Sequence, residues 1–174
     1  MDNWTPLSNQ EYDRIWSRIY RDIKFKPSMS IFPSFQLPTP FISYDISEYL
    51  IDSRDLDAGS TEFSVDLDAY DNLEEKALDA FKELTLVGEC MLALNWKHEC
   101  YWVNPRLEFV KNEFGEWTIP IFPNGDYYFF IEKDFKWGYL GHPWEKSITV
   151  FGKELINAFD KHKPRKFHTI LRQG

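Results

Sequence analysis

Residues 126–132, Asp126-Tyr127-Tyr128-Phe129-Phe130-Ile131-Glu132, decide the fold. Five aromatic or aliphatic side chains in a row, without polar alternation, predict a strand covered on both faces and therefore a central one. Pro123-Asn124-Gly125 stands just before it. Asn-Gly supplies the positive φ angles of a tight turn, so residues 117–122 are predicted to pair with 126–132 as a hairpin. Upstream, 91–96 and 100–104 are two short apolar runs around Lys97-His98-Glu99, which predicts a second hairpin. Residues 137–140 and 148–151 follow at short spacing, and 41–46 read as one more short strand. Strands joined by short links pair antiparallel.

Helical signals surround this strand-rich half. Ser8-Asn9-Gln10-Glu11 fits a capping box, and Tyr12, Ile15, Trp16 and Ile19 recur at helical spacing, predicting a helix over 9–22. Pro27, Pro33, Pro38 and Pro40 forbid helix or central strand over 26–40. That segment should run extended, pinned by Ile31, Phe32, Phe35 and Leu37. A helix capped by Asp71 or Asn72 should run to about Leu86, burying Leu73, Ala77, Leu78, Phe81 and Leu84, with Gly88 ending it. A last helix is predicted over 153–162, stopped before Pro164. The fold class that results is α+β. Residues 1–174 form a single domain: a largely antiparallel meander of about five or six strands, with about three helices packed on one face.

Composition narrows the function. Of 174 residues, 43% are hydrophobic and 18% aromatic, which is ample core material and excludes general disorder. A formal charge of −8 argues against nucleic acid as a partner. No apolar run reaches the roughly 20 residues of a spanning helix, and Met1-Asp2-Asn3-Trp4 does not open a secretion signal. Cys90 and Cys100 fall in apolar runs, as free thiols do in a reducing cytoplasm, the expected location. The charge is uneven. Residues 45–75 carry eleven acids and one base, Arg54, whereas 161–172 carry five Lys or Arg and no acid. Two readings stand: a solvated acidic loop beside a basic tail, or an acidic face, including Asp66 and Asp68, that steers a basic protein partner.

No phosphate loop, nucleophile elbow or zinc-helix motif occurs. Asp55-Leu56-Asp57 and Asp66-Leu67-Asp68 resemble the start of a calcium loop, but the required glycine positions hold Ser60 and Asp71. No metal site and no cofactor are expected. Two clusters carry chemistry-bearing residues. In Trp96-Lys97-His98-Glu99-Cys100-Tyr101-Trp102, His98 and Cys100 would share one face of a strand while Glu99 points to the other, too few ligands for a closed metal site. In Gly141-His142-Pro143-Trp144-Glu145, Pro143 stiffens a loop in which Trp144 either tucks back or waits for a partner. Asn124-Gly125-Asp126 reads as a hairpin turn. Should the strand order bring both turns together, His98, Glu99, His142 and Glu145 would form a cleft suited to a small hydrolase or ligand-binding enzyme, with or without a divalent metal.

The segments from Trp96 to Trp102, from Phe122-Pro123-Asn124-Gly125-Asp126 to Tyr128, and from Gly141 to Glu145 resemble a bacterial family, commonest in Bacillus-type genomes, known as domain of unknown function 2716. The resemblance extends to Leu37-Pro38-Thr39-Pro40 and Tyr44-Asp45-Ile46, and implies a bacterial cytoplasmic protein. At the level of fold, the strand-rich half ending in a helix is also similar to the acidic immunity proteins of the SMI1/KNR4 superfamily. Together these give the leading expectation, a non-enzymatic, immunity-like protein-binding module. Its contacts would be Trp102, Asp126, His142, Trp144 and Glu145, with Asp66 and Asp68 steering.

Overall fold

The structure is a computed structural model that describes residues 3–49 and 67–174. Its centre is the strand predicted from 126–132, and hydrophobic neighbours occupy both of its edges. In chain order the described elements are β1 (Thr5–Pro6), α1 (Asn9–Arg18), β2 (Phe41–Asp45), α2 (Leu67–Leu84), β3 (Met91–Asn95), β4 (Tyr101–Val103), β5 (Tyr128–Ile131), β6 (Gly138–His142), β7 (Ser147–Phe151), α3 (Lys153–Lys161) and β8 (Ile170–Gln173). The strands form one open sheet in the order β1-β4-β3-β5-β6-β7-β2-β8, every neighbouring pair antiparallel. The chain is thus an α+β protein, with eight described strands where five or six were expected. β1 and β8 are the additions: each is short, edge-lying and without the apolar alternation that announces a strand.

Side-chain alternation divides the core in two. Met91, Ala93, Phe130, Tyr139, Ile148 and Val150 face α2 and α3 with Phe81, Leu155 and Phe159. Leu92, Leu94, Phe129, Ile131, Leu140 and Phe151 face α1 and the proline-rich segment with Ile15, Trp16, Ile19, Phe25 and Phe35. The helices therefore divide between the two faces instead of sharing one, because β5 and its neighbours are apolar on both sides and each side needs a cover. The capping box of α1 forms as predicted. The Glu11 amide donates to Ser8 Oγ at 3.2 Å, and the Ser8 amide to Glu11 Oε2 at 2.8 Å. The following turn widens over Ile19–Ile23, and Lys24 at φ 49° ends the helix.

Three local expectations change. Residues 117–122 form no strand and no hairpin with β5, whose two edges are taken by β3 and β6. Pro120 would also deny the ladder a donor. The segment instead crosses the α2 face, burying Trp117, Ile119, Ile121 and Phe122, and Ile121 accepts the Tyr139 hydroxyl at 2.8 Å. Gly141 lets this crossing pass close, since a Cβ there would meet Pro123 Cβ at 3.0 Å. Second, α2 begins at Leu67, before the predicted cap. Asn72 lies within the helix, and its Oδ1 accepts the Arg165 amide at 2.9 Å. A local strand that the sequence suggests around Phe63–Val65 lies outside the described residues. Third, the basic tail is ordered: Phe167 stacks on Tyr44 with ring centroids 4.3 Å apart, and β8 then pairs with β2. Among the described residues no helix is long and apolar enough to cross a membrane.

Candidate functional site

The proline-rich segment builds the most distinctive surface. Its ends are clamped: the Lys26 amide donates to Ser34 O at 2.9 Å and the Gln36 amide to Ile23 O at 2.7 Å. Within the loop so closed, Ser28 Oγ accepts the amides of Ser30 and Ile31 at 3.1 and 2.8 Å. Tyr127 Oη accepts the Ser28 amide at 3.0 Å and donates to Ser28 O at 3.1 Å. Phe25 and Phe35 stack at 5.5 Å and pack on Phe129, fixing the base. The tip has nowhere inward to go. Met29 and Ile31 are 68% and 75% exposed, whereas Phe32, 39% exposed, sets its ring edge-on to His142, so of the four predicted anchors Phe32, Phe35 and Leu37 pin the segment and Ile31 does not.

Beneath this loop lies His142, completely buried. Its Nδ1 accepts the amides of Trp144 and Glu145 at 3.3 and 3.2 Å. A nitrogen accepting two N–H groups bears no proton, so Nε2 carries it and donates to Ser34 Oγ at 2.8 Å. Burial holds the imidazole pKa down at about 4; the Glu145 carboxylate pulls it up and the Arg172 guanidinium pushes it further down. The ring is thus neutral near pH 7 and both nitrogens are occupied, an arrangement that fixes a turn and leaves no base for proton transfer. Phe32, Phe35 and Tyr127 surround it at 5.0, 5.9 and 4.8 Å between centroids.

The turn that His142 holds presents Trp144, 44% exposed, and the same imidazole carries Phe32 of the loop edge-on at 5.0 Å. The adjacent Glu145 points back. Its carboxylate takes the Ser147 hydroxyl at 2.9 Å and pairs closely with Arg172 from β8. A chain of polar contacts therefore runs from Ser34 through His142 and the turn to β8, with Phe32 packed on the His142 ring. No acidic residue occurs between Ile23 and Tyr44, so the patch is apolar with Lys24, Lys26 and Lys146 nearby.

The sequence candidates separate into three places. Asn95, Tyr128 and Gly141 are in register across β3, β5 and β6, so the β3–β4 and β6–β7 turns do lie at the same end of the sheet. They do not merge into one cleft. His98 is 64% exposed and its Nε2 lies 3.2 Å from Asp126 Oδ2, while Glu99 is exposed. Tyr127 and Trp96, edge to face at 5.7 Å, stand between that pair and His142. Trp102 lies on β4 and donates its Nε1–H to Glu11 Oε1 at 3.1 Å, away from the other two groups. Asp66 lies outside the described residues; Asp68 falls within the backbone of α2. Among the described residues no three His, Cys, Asp or Glu side chains are grouped to hold a metal. Both cysteines are free thiols. Sequence reasoning missed Met29, Ser34 and Arg172. Ser28 and Ser34, small polar residues inside a proline-rich apolar run, were the available signal that the run folds back on itself.

Comparison with known proteins identifies the chain's relations. The family described as "Protein of unknown function (DUF2716)" matches residues 6–156, and the chain belongs to it. It is also 43% identical over 170 residues to the "Uncharacterized protein YxiI" of Bacillus subtilis (strain 168), covering 96% of this chain and 98% of that protein. No solved structure matches it.

Proposed function

We propose that this member of the family is a non-enzymatic protein-binding module whose contact surface is the corner formed by the 26–34 loop and the β6–β7 turn. One observation carries the reading: Met29, Ile31, Phe32 and Trp144 are displayed to solvent by backbone that is clamped from below. Contiguous large apolar groups at the surface mark interaction sites, and rigid presentation lowers the entropy cost of binding. Trp144 is the anchor, the residue type most enriched among binding hot spots. His142 and Glu145 position it. The net charge of −8 favours a basic partner, steered at long range by acids such as Asp66 and Asp68, while the lysine-flanked corner itself engages an apolar pocket of that partner, in the manner of an immunity protein covering its target.

The test is site-specific photocrosslinking in a lysate of the host bacterium, with the reactive group at position 144 and, as control, at position 98. A protein captured at 144 and not at 98 is then purified and titrated against the wild-type chain. Saturable binding whose association rate falls as salt rises supports the reading. Capture at 98 alone, or none at either position, contradicts it.

A further inference from the structure

A second surface, on the opposite face of the sheet, has the form of a ligand site. Between α2 and residues 106–117 runs an open groove of about 420 Å³. That volume lies within the range of roughly 300–1,000 Å³ usual for small-molecule sites. Its floor is apolar: Leu78, Phe109 and Trp117, with Leu107 exposed on its rim. Its charges are mixed, with Glu108 also on the lining, and its two ends differ. Glu74 and Glu75 mark one end, and there the buried Glu74 is already neutralised by Lys111 at 2.9 Å. Glu75 is exposed and makes no hydrogen bond or ion pair with the described residues.

Lys82 marks the other end, joined by Arg106. The Arg106 side chain closes the C-terminus of α2: Nε donates to Thr85 O at 3.0 Å, and Nη2 to Lys82 O and Thr85 O at 2.9 and 2.7 Å. That fixes the guanidinium in place and leaves Nη1 without a partner among the described residues, as is the Lys82 ammonium. Lys82 follows Glu75 by seven residues, about 10 Å along a helix axis at 1.5 Å per residue. Three extended residues at 3.3–3.6 Å each span about the same distance.

We propose that this groove binds a short zwitterionic peptide of about three residues with apolar side chains. Its free amine lies at Glu75, its carboxylate at Lys82 and Arg106 Nη1, and its side chains rest on Leu78, Leu107 and Phe109. A ligand charged at one end only meets one complementary terminus, whereas the zwitterion meets both. The site is independent of the Trp144 corner.

Isothermal titration calorimetry with tri-leucine tests this, using the free peptide, its N-acetyl form and its C-terminal amide. Each charge-assisted contact is worth on the order of tenfold in affinity. Either cap should therefore weaken binding about tenfold. Glu75→Gln should weaken the free peptide by about the same factor and abolish the effect of acetylation; Lys82→Gln should do likewise for amidation. Both positions are on the helix surface, and circular dichroism checks that the variants fold. No saturation by about 10 mM peptide, equal binding of free and capped forms, or indifference to both substitutions would overturn the proposal, because each removes one of the two charge contacts on which it rests.

Discussion

Two histidine-bearing turns lie at one end of the same sheet, and their environments are opposite. His98 sits in the β3–β4 turn, exposed, beside Asp126, with no structure built upon it. His142 opens the β6–β7 turn, fully buried, and holds that turn through two amides while Ser34 holds the ring. The difference comes from what covers each turn. The clamped 26–34 loop closes over His142 and Tyr127 through Ser28, Phe32 and Ser34. Of two residues of the same type, one is solvated surface and the other is a brace for a display surface. Titratable chemistry therefore gives way to presentation.

The comparison can be broken by mutation. His142→Ala leaves two part-buried amides without their acceptor and a void under Phe32 and Phe35, and should cost about 3 kcal/mol in urea denaturation. His98→Ala should cost less than about 0.5 kcal/mol in the same measurement, as exposed sites do. Comparable losses at the two positions would contradict the assignment of roles.

Acid probes the buried histidine. The His142 pKa is about 4 in the folded chain against an ordinary 6.5, so the unfolded chain binds the extra proton. The stability this confers is complete above pH 6.5 and is lost as pH falls from 6.5 through 4, about 3 kcal/mol in all. His142→Gln should flatten the stability profile across that interval. An unaltered slope in His142→Gln would show that other groups set it.

A smaller effect concerns the turn's outward side. Arg172→Met removes the cation that draws Glu145 inward from β8 and leaves a nearly buried carboxylate, which should cost on the order of 2 kcal/mol in stability. It should also loosen the turn, read as faster amide hydrogen exchange at Trp144 and Glu145. Protection unchanged from wild type would separate the ion pair from the display of Trp144.

Legibility in the sequence followed locality. The capping box at Ser8, the unbroken apolar run of β5 and the helix over Lys153–Lys161 depend on neighbours in the chain, and each appears where the pattern placed it. Residues 117–122 carry a strand's composition, yet strand order had already filled both edges of β5, a fact no local window contains. The site divides in the same way. His142, Trp144 and Glu145 stood out as a stiffened loop with a stranded tryptophan. Their supports, Ser34 and Arg172, come from 108 and 27 residues away in sequence. Such partners lack any periodic signal, because a single hydrogen bond leaves no repeat to detect.

The central claim rests on Trp144, and the most direct test is the affinity of the crosslinked and purified partner for three chains: wild type, Trp144→Ala and His98→Ala. The account predicts that Trp144→Ala loses about 30-fold, close to 2 kcal/mol, while keeping its folding stability, and that His98→Ala stays within about twofold of wild type. Wild-type affinity in Trp144→Ala would contradict it.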